Sequence, residues 1–349
     1  ARAGEPYGCD PFTGSNRKHC PHQSAVNNME KIMVGKRKVI ERIVIALLTN
    51  GHVLIEDVLG VGKTQCVGAL AKSVSGTFNR VQFTPDVMAS DITGFTMYNP
   101  SIGKFIYKSG AASCNFLLGD EINRASAKTQ SSLLEVMEER QVTIDGVTRK
   151  VPEPFMVLAT QNPIESKGTN KLPEAQMDRF LFKLSIGYPT KSGEKEILDR
   201  FAGENPLNNL GAVVTTEDII SMQKEIEEVR VSDNIKDLII NIVTSTRNNP
   251  KITLGASPRG SLQLLKASKA VAYLQGRDYV IPEDVKEVSV DVLSHRIILS
   301  SGARVKGQNS SDMVAATQLV KMIRLPADRS MPVPPTLRWA LTAGTRQSP

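Results

Sequence analysis

The stretch HVLIEDVLGVGKTQ, residues 52–65, decides how the rest of the chain is read. Residues 52–55 form a short apolar run, the pattern of a buried strand. The loop Asp57-Val58-Leu59-Gly60-Val61-Gly62-Lys63-Thr64 follows, and residues 65–75 then carry a helical pattern. Strand, glycine loop, Lys-Thr and helix in that order make a phosphate cradle. Loop and helix N–H groups face the phosphate oxygens, Lys63 reaches them, and Thr64 ligates Mg²⁺. The usual spacing G-x-x-x-x-G-K-[ST] has Gly where Asp57 stands. Gly60 and Gly62 remain, so the turn nearest the phosphates still closes. The competing reading is a glycine turn before a helix, with Lys63 in water.

Composition narrows the class. The chain has 349 residues, enough for two domains with ample core. Apolar residues are 40% and charged residues 23%, the balance of a globular chain. Aromatics at 5% argue against a stacking surface for single-stranded nucleic acid. The net charge of +7 is spread along the chain. Its densest cluster, Lys36-Arg37-Lys38, opens a helical pattern, as a solvated helix face does. No run reaches the roughly 18 apolar residues of a membrane span, and residues 1–25 lack a signal-peptide apolar region. A cytoplasmic protein is expected. Four cysteines make no disulfide framework at this length, and Cys66 and Cys114 read as small core residues. Cys9, His19, Cys20 and His22 lack the paired C-x₂-C knuckle of a zinc site, so a metal-free leader fits them better.

Residues 1–25 show no periodicity and read as a flexible leader. From residue 26 a helical pattern begins, with Ile40, Ile43, Val44, Leu47 and Leu48 on one face. Strands are expected at 52–55, 78–83, 115–119, 155–160 and 180–184, alternating with helices. That alternation predicts a parallel sheet covered on both faces. Two β-hairpin inserts interrupt it, at about 95–107 and at 141–151, the second turning on Asp145-Gly146. Ser126 is placed to cap the helix bearing Leu133, Leu134, Val136 and Met137. After Pro189 only helices are expected, at 192–201, 216–229, 232–247, 258–274 and 282–296. The core domain is expected over 26–204, a linker over 205–215, a helical lid over 216–326, and a loose tail over 327–349. The fold class is α/β: a parallel αβα sandwich with an all-helical C-terminal lid.

In an open parallel sheet, ligands collect at the carboxyl ends of strands. Asp57, Asp120-Glu121 and Asn162 stand at those ends. Asp120 suits the Mg²⁺ shell, and Glu121 suits orienting and activating a water for attack on a γ-phosphate. Asn162 would fix that water from the next strand. The bland alternatives are an acidic strand exit and a turn Asn before Pro163. Arg124, Arg179, Arg259 and Arg296 lie at element edges, and one or two should meet the charge developing on the phosphoryl group. Arg259 begins a lid helix and suits contact within its own chain. Arg179 precedes the fifth strand and suits a neighbouring subunit. Asn170-Lys171 is followed by Leu172-Pro173, not by the x-Asp of guanine sites, which favours ATP.

Four stretches resemble AAA+ ATPases and, more narrowly, the MoxR family. They are MVGKRKVIERIVIALLTNGHVLIEDVLGVGKT (33–64), LLGDEINRASAKTQSSLLEVMEERQVTIDG (117–146), LATQNPIESKGTNKLPEAQMDRFLFKL (158–184) and GASPRGSLQLLKASKAVAYLQGRDYVIPEDVK (255–286). The resemblance implies that Leu59, Gly60, Val61, Gly62, Lys63, Thr64 and Gln65 form the Walker A loop, and that Asp120 and Glu121 are Walker B. It makes Asn162 sensor 1, Arg179 the arginine finger and Arg259 sensor 2, with Val34-Gly35 against adenine. The hairpins match the helix-2 and pre-sensor-1 inserts. Leu59 stands where Pro is usual, Gly119 where Ala is common, and Asp57 where Gly or Asp occurs. The family further implies ATP with Mg²⁺ and a homo-oligomeric ring, most often a hexamer. Its usual work is the remodelling or maturation of a partner complex, often with a von Willebrand factor A domain protein and a metal cofactor to insert. Rival readings are a nucleic-acid motor or loader, weakly served by Lys104, Lys108, Arg149 and Lys150 on the hairpins, and a switch that binds ATP without hydrolysis.

Overall fold

The computed structural model describes residues 21–57, 60–162, 172–203, 205–305 and 307–315. Leu59, the tail 327–349, most of the leader and the end of the lid lie outside them. Helix α1 (Pro21–Glu30) precedes α2 (Arg37–Leu48), whose apolar stripe is the one the sequence shows. The leader is therefore shorter than 1–25. Pro21 starts a helix that buries Ala25, Val26 and Met29, and the Asn28 amide donates to Ser73 Oγ and to the Gly211 carbonyl. Ten residues with few apolar positions carry too little periodicity to reveal that helix; docking on its neighbours stabilises it.

The core sheet holds β1 (Val53–Glu56), β2 (Phe78–Gln82), β5 (Phe116–Asp120), β8 (Met156–Gln161) and β9 (Phe182–Leu184), all parallel in the order β2-β5-β8-β1-β9. Alternate residues of β1, β5 and β8 feed two cores. Val53, Ile55, Phe116, Leu118 and Leu158 join α2 and α3 (Lys63–Ser73) on one face. Leu54, Leu117, Val157 and Ala159 join α5 (Ala127–Glu139) on the other. Ser126 Oγ accepts from the Thr129 N–H and fixes where α5 begins, just beyond a 3₁₀ turn at Ile122–Arg124. Gly119 is tightly framed, since an added Cβ would sit 3.0 Å from the Phe83 ring.

The short α4 (Ala89–Thr93) leads into the first insert, β3 (Gly94–Asn99) paired with β4 (Lys104–Ser109). The second insert pairs β6 (Gln141–Ile144) with β7 (Val147–Lys150). Short α6 (Glu174–Met177) precedes β9, and α7 (Lys191–Phe201) follows it. The lid consists of α8 (Thr216–Glu228), α9 (Asp233–Arg247), α10 (Pro258–Leu274), α11 (Pro282–Leu293) and α12 (Ser301–Val305).

The expectation of helices only after Pro189 needs correction. Strand β10 (Ile252–Leu254) pairs antiparallel with β11 (Ile298–Leu299). Strands of three and two residues are too short to show a period of two. Helix α11 also ends at Leu293 rather than at Arg296, and a 3₁₀ turn carries Arg296 inward. The lid is packed on the core. The Gln223 amide donates to the Leu47 carbonyl, and buried Arg42 on α2 pairs with Glu287 and Asp291 of α11.

Candidate active site

Residues at the ends of β1, β5 and β8 and the loop after β1 lie at the carboxyl edge. After β1 the chain turns through Gly60 and Gly62, both at φ +85°. That left-handed backbone is open to glycine at no steric cost. Gly62 directly precedes α3, which begins without a side-chain cap, so its first N–H groups are turned to the loop. Thr64 and Gln65 lie in that first turn, and Gln65 Oε1 is buried with no partner among the described residues. Lys63 Nζ donates to the Asp57 carbonyl of its own loop, 2.8 Å away. Burial holds the Lys63 amine below its ordinary range, against the opposing pull of Asp120, Asp57 and Glu121. An amine beside the uncapped N-terminus of a helix fits a polyphosphate. The Met33-Val34-Gly35 turn closes on this loop. Gly35 has φ +68°, and a Cβ on Gly62 would meet Met33 Sδ at 3.7 Å.

Asp57, the residue that departs from the motif, has its own work. Its Oδ2 accepts from the Ile186 and Gly187 N–H groups at 2.5 and 2.8 Å and from Ser185 Oγ at 3.2 Å. The start of the loop is thereby tied to the turn after β9.

Asp120 and Glu121 end β5. Thr160 of β8, fully buried, joins them: its hydroxyl donates to Asp120 Oδ1 at 2.7 Å and accepts from the Glu121 N–H at 3.0 Å. Asp120 Oδ2 takes Arg80 of β2 at 2.7 Å, and Glu121 takes Arg124 at 2.9 Å. Two of the roughly four lone-pair positions of Asp120 are thus used, leaving room for a metal or its water. Thr64 and Asp120 would hold Mg²⁺. Glu121 sits at φ +57°, an uncommon conformation for a non-glycine residue that turns the chain away from the strand at the acid. Asn162 is buried just beyond β8, whose Gln161 pairs with Glu56 of β1.

The arginines part company. Arg124 is bound to Glu121. Arg296 is buried, with Nε on Asp178 Oδ1 at 2.8 Å and further bonds to the carbonyls of Asp178, Phe180, Leu181 and Val292. Burial pushes its guanidinium down to about 10 although Asp178 pulls the other way. It is a strut between lid and core. Asp178 Oδ2 also accepts from Ser257 Oγ, the residue before α10.

Arg179 and Arg259 converge on one carboxylate: Arg179 Nε meets Glu138 Oε2 at 3.0 Å, and Arg259 meets Glu138 Oε1 at 2.5 Å. Glu138 lies in the last turn of α5, about 18 Å along the helix from its start beside Glu121. The next residue but one, Arg140, bonds the carbonyls of Asn50 and Phe155, which precede β1 and β8. The pair therefore sits at the amino edge of the sheet. Arg259 does not reach the phosphate loop of its own chain, contrary to the expectation from its helix-start position. The docking of the lid through Asp178, Ser257 and Arg296 carries it to Arg179 instead. Sequence reasoning passed over Arg80, Glu138, Asp178 and Thr160. Only Thr160 left a signal, a hydroxyl closing an otherwise apolar strand.

Strand order, phosphate cradle, acidic pair and helical lid together define an AAA+ ATPase fold. The sequence profile of the ATPase family associated with various cellular activities (AAA) matches residues 52–182, and that of the AAA lid domain matches residues 244–317. Chaperone MoxR1 of Mycobacterium tuberculosis is 41% identical over 338 residues, 93% of this chain and 89% of its own. The uncharacterized protein YeaC of Bacillus subtilis is 47% identical over 306 residues, 88% of this chain and 95% of its own. A crystal structure of a candidate ATPase from Cytophaga hutchinsonii superposes with a TM-score of 0.81 at 40% identity, covering 86% of this chain and 94% of that one. The chain belongs to the MoxR family of AAA+ ATPases. Among the described residues, no helix is long and apolar enough to cross a membrane.

Proposed function

We propose that this protein hydrolyses ATP in a cytoplasmic homo-oligomeric ring, a hexamer by family habit, and uses the turnover to remodel a partner protein assembly. One observation carries the reading. The cradle and acidic pair occupy the carboxyl edge, while Arg179 and Arg259 converge, part-exposed, on Glu138 at the amino edge. Each chain thus holds two halves of a hydrolytic site that it cannot bring together alone. Lys63 and the α3 N–H groups bind the phosphates, Glu121 orients the attacking water, and Asn162 holds it from β8. Mg²⁺, when bound, neutralises charge on the phosphate oxygens. Arg179 and Arg259 of the next subunit then meet the charge that develops on the transferred group.

The test is subunit mixing. Lys63→Ala and Arg179→Ala chains are each expected to be inactive. Mixed, they regain part of the rate, because some interfaces join an intact cradle to an intact arginine. No recovery at any ratio would overturn the shared site, and absence of turnover in the native chain would overturn hydrolysis altogether.

The partner reading draws support from the first insert. Phe95, Met97, Tyr98, Ile102 and Phe105 are exposed there, and Lys108 lies over the Phe95 ring. An apolar ribbon suits a polypeptide client, such as a von Willebrand factor A domain protein, better than a nucleic-acid backbone. Metal insertion into that client is part of the proposal. A pull-down with Glu121→Gln in ATP should retain the client; retention of DNA alone would favour the motor reading.

A further inference from the structure

Two guanidinium groups on one carboxylate call for an account. Arg179 comes from the segment before β9 and Arg259 from the first turn of α10, so elements far apart in sequence deliver them. Like charges this close repel unless an anion lies between them. Here the anion is Glu138, with Arg179 on one oxygen at 3.0 Å and Arg259 on the other at 2.5 Å. All three side chains are 31–39% exposed, so the cluster is open to an incoming group. Beside it lies a cavity of about 340 Å³ lined by Glu135, Glu138, Glu139, Gln176 and Arg179. The approach is therefore acidic, and an arriving phosphate meets it as such.

From behind, the arginines are held in place. Asp178, next to Arg179, accepts from Ser257, two residues before Arg259, and from buried Arg296. The spacing of the pair is built into the joint between core and lid. Glu138 is attached to neither element and belongs to the last turn of α5.

We propose that Glu138 is a positioning residue that stands in for a phosphoryl group. It keeps Arg179 and Arg259 converged in the isolated chain and gives them up when the γ-phosphate of a nucleotide on a second copy arrives. The inference rests on the shared site proposed above. The exchange swaps one anion for another on the same four or so N–H donors, so the arginines need not be reorganised when subunits meet. It also makes productive docking of two chains a competition. Without nucleotide on the neighbour, Glu138 keeps the arginines. With it, the more highly charged phosphoryl oxygens displace a single carboxylate.

Glu138→Gln keeps the shape and removes the charge, while Glu135→Gln removes a charge from the same cavity and touches neither arginine. Two readouts separate the possibilities. The first does not depend on turnover: the rate at which phenylglyoxal modifies Arg179 and Arg259 without nucleotide, read by peptide mass spectrometry. Glu138→Gln should raise both rates about threefold or more, and Glu135→Gln should leave them near native values. The second is the rate of ATP hydrolysis against protein concentration. Glu138→Gln should reach its half-maximal rate at about a fivefold lower concentration, as expected for release of two exposed ion pairs. Glu138→Asp should lie close to the native chain.

Equal modification rates in all four proteins would overturn the stand-in, whatever the ATPase data show. A Glu138→Gln chain that needs more protein, or loses its saturating rate, would overturn it too, because Glu138 would then be required when subunits are joined. If the native chain shows no turnover, the shared-site reading fails, and the modification rates still decide whether Glu138 masks the pair.

Discussion

Asp57 offers the sharpest test of how the phosphate loop is held. Its single oxygen Oδ2 takes two backbone N–H groups and one hydroxyl from residues 185–187, and the side chain is buried. A hydrogen bond to a charged group contributes about 1.5–3 kcal/mol, and each buried donor left unpaired costs about 1–3 kcal/mol. Asp57→Gly restores the residue usual at that motif position yet removes the acceptor from both amides. With allowance for non-additivity, it should destabilise the chain by about 3–5 kcal/mol. Asp57→Asn can place its amide oxygen where Oδ2 stands, so the loss should be only about 1 kcal/mol. Urea unfolding of both variants without nucleotide measures the difference. Titration with a fluorescent ATP analogue measures the consequence for the loop, with affinity at least tenfold weaker for Gly and within about threefold of native for Asn. If Gly and Asn unfold at the same denaturant concentration, or Gly stays within about 1 kcal/mol of native, the tie from Asp57 to the turn after β9 contributes little.

Three further outcomes are expected. Glu121→Gln should lower ATP turnover by about 10²–10⁴-fold while ATP is still bound; unchanged turnover in a steady-state phosphate-release assay would remove Glu121 from the chemistry. Asp178→Ala leaves the buried guanidinium of Arg296 without its carboxylate. Breaking such a pair costs about 3–5 kcal/mol, and the carbonyls around Arg296 place this case near 3. A calorimetric loss under 1 kcal/mol would contradict the strut. His52 is held neutral, with Nδ1 accepting from the Val157 N–H and Nε2 donating to the Met137 carbonyl, and burial, aided by Arg140, pushes it down to about 3. The unfolded chain takes up this proton first, so stability is full above about pH 6.5 and is lost as pH falls toward 3. The His52 share at pH 5 is about 2 kcal/mol, and His52→Gln should lose that much less than native between pH 7.5 and pH 5. Parallel losses in urea would contradict it.

The elements legible in the sequence share a cause. The five core strands are apolar runs between turn residues, and Pro258 and Pro282 start their helices where Pro is tolerated. The glycine loop and the acids were legible because they follow apolar runs at strand exits, where ligands collect in a parallel sheet. What escaped depends on contacts between distant segments. Helix α1 has ten residues and little apolar face; β10 and β11 have five residues between them. Arg259 at a helix start shows that it lies at an end of the lid, but not which edge of the sheet that end meets. Asp178, holding both Ser257 and Arg296, ties that end of the lid to the segment before β9. Arg296 itself reads as a surface cation in sequence and is a buried strut in the fold.

The cradle and the arginine pair lie on opposite edges of one sheet, which gives every chain a head and a tail. A two-fold dimer would set like against like and complete neither site. On the shared site proposed above, head-to-tail contacts would complete one site per junction, and their rotation would decide whether the series closes or runs on. An open row of n chains has one junction fewer than it has chains, so it strands a cradle at one end and an arginine pair at the other. Closure recovers that last site. Under that proposal stoichiometry alone would favour the closed form whenever nucleotide is abundant, and an open fragment would work at less than its share.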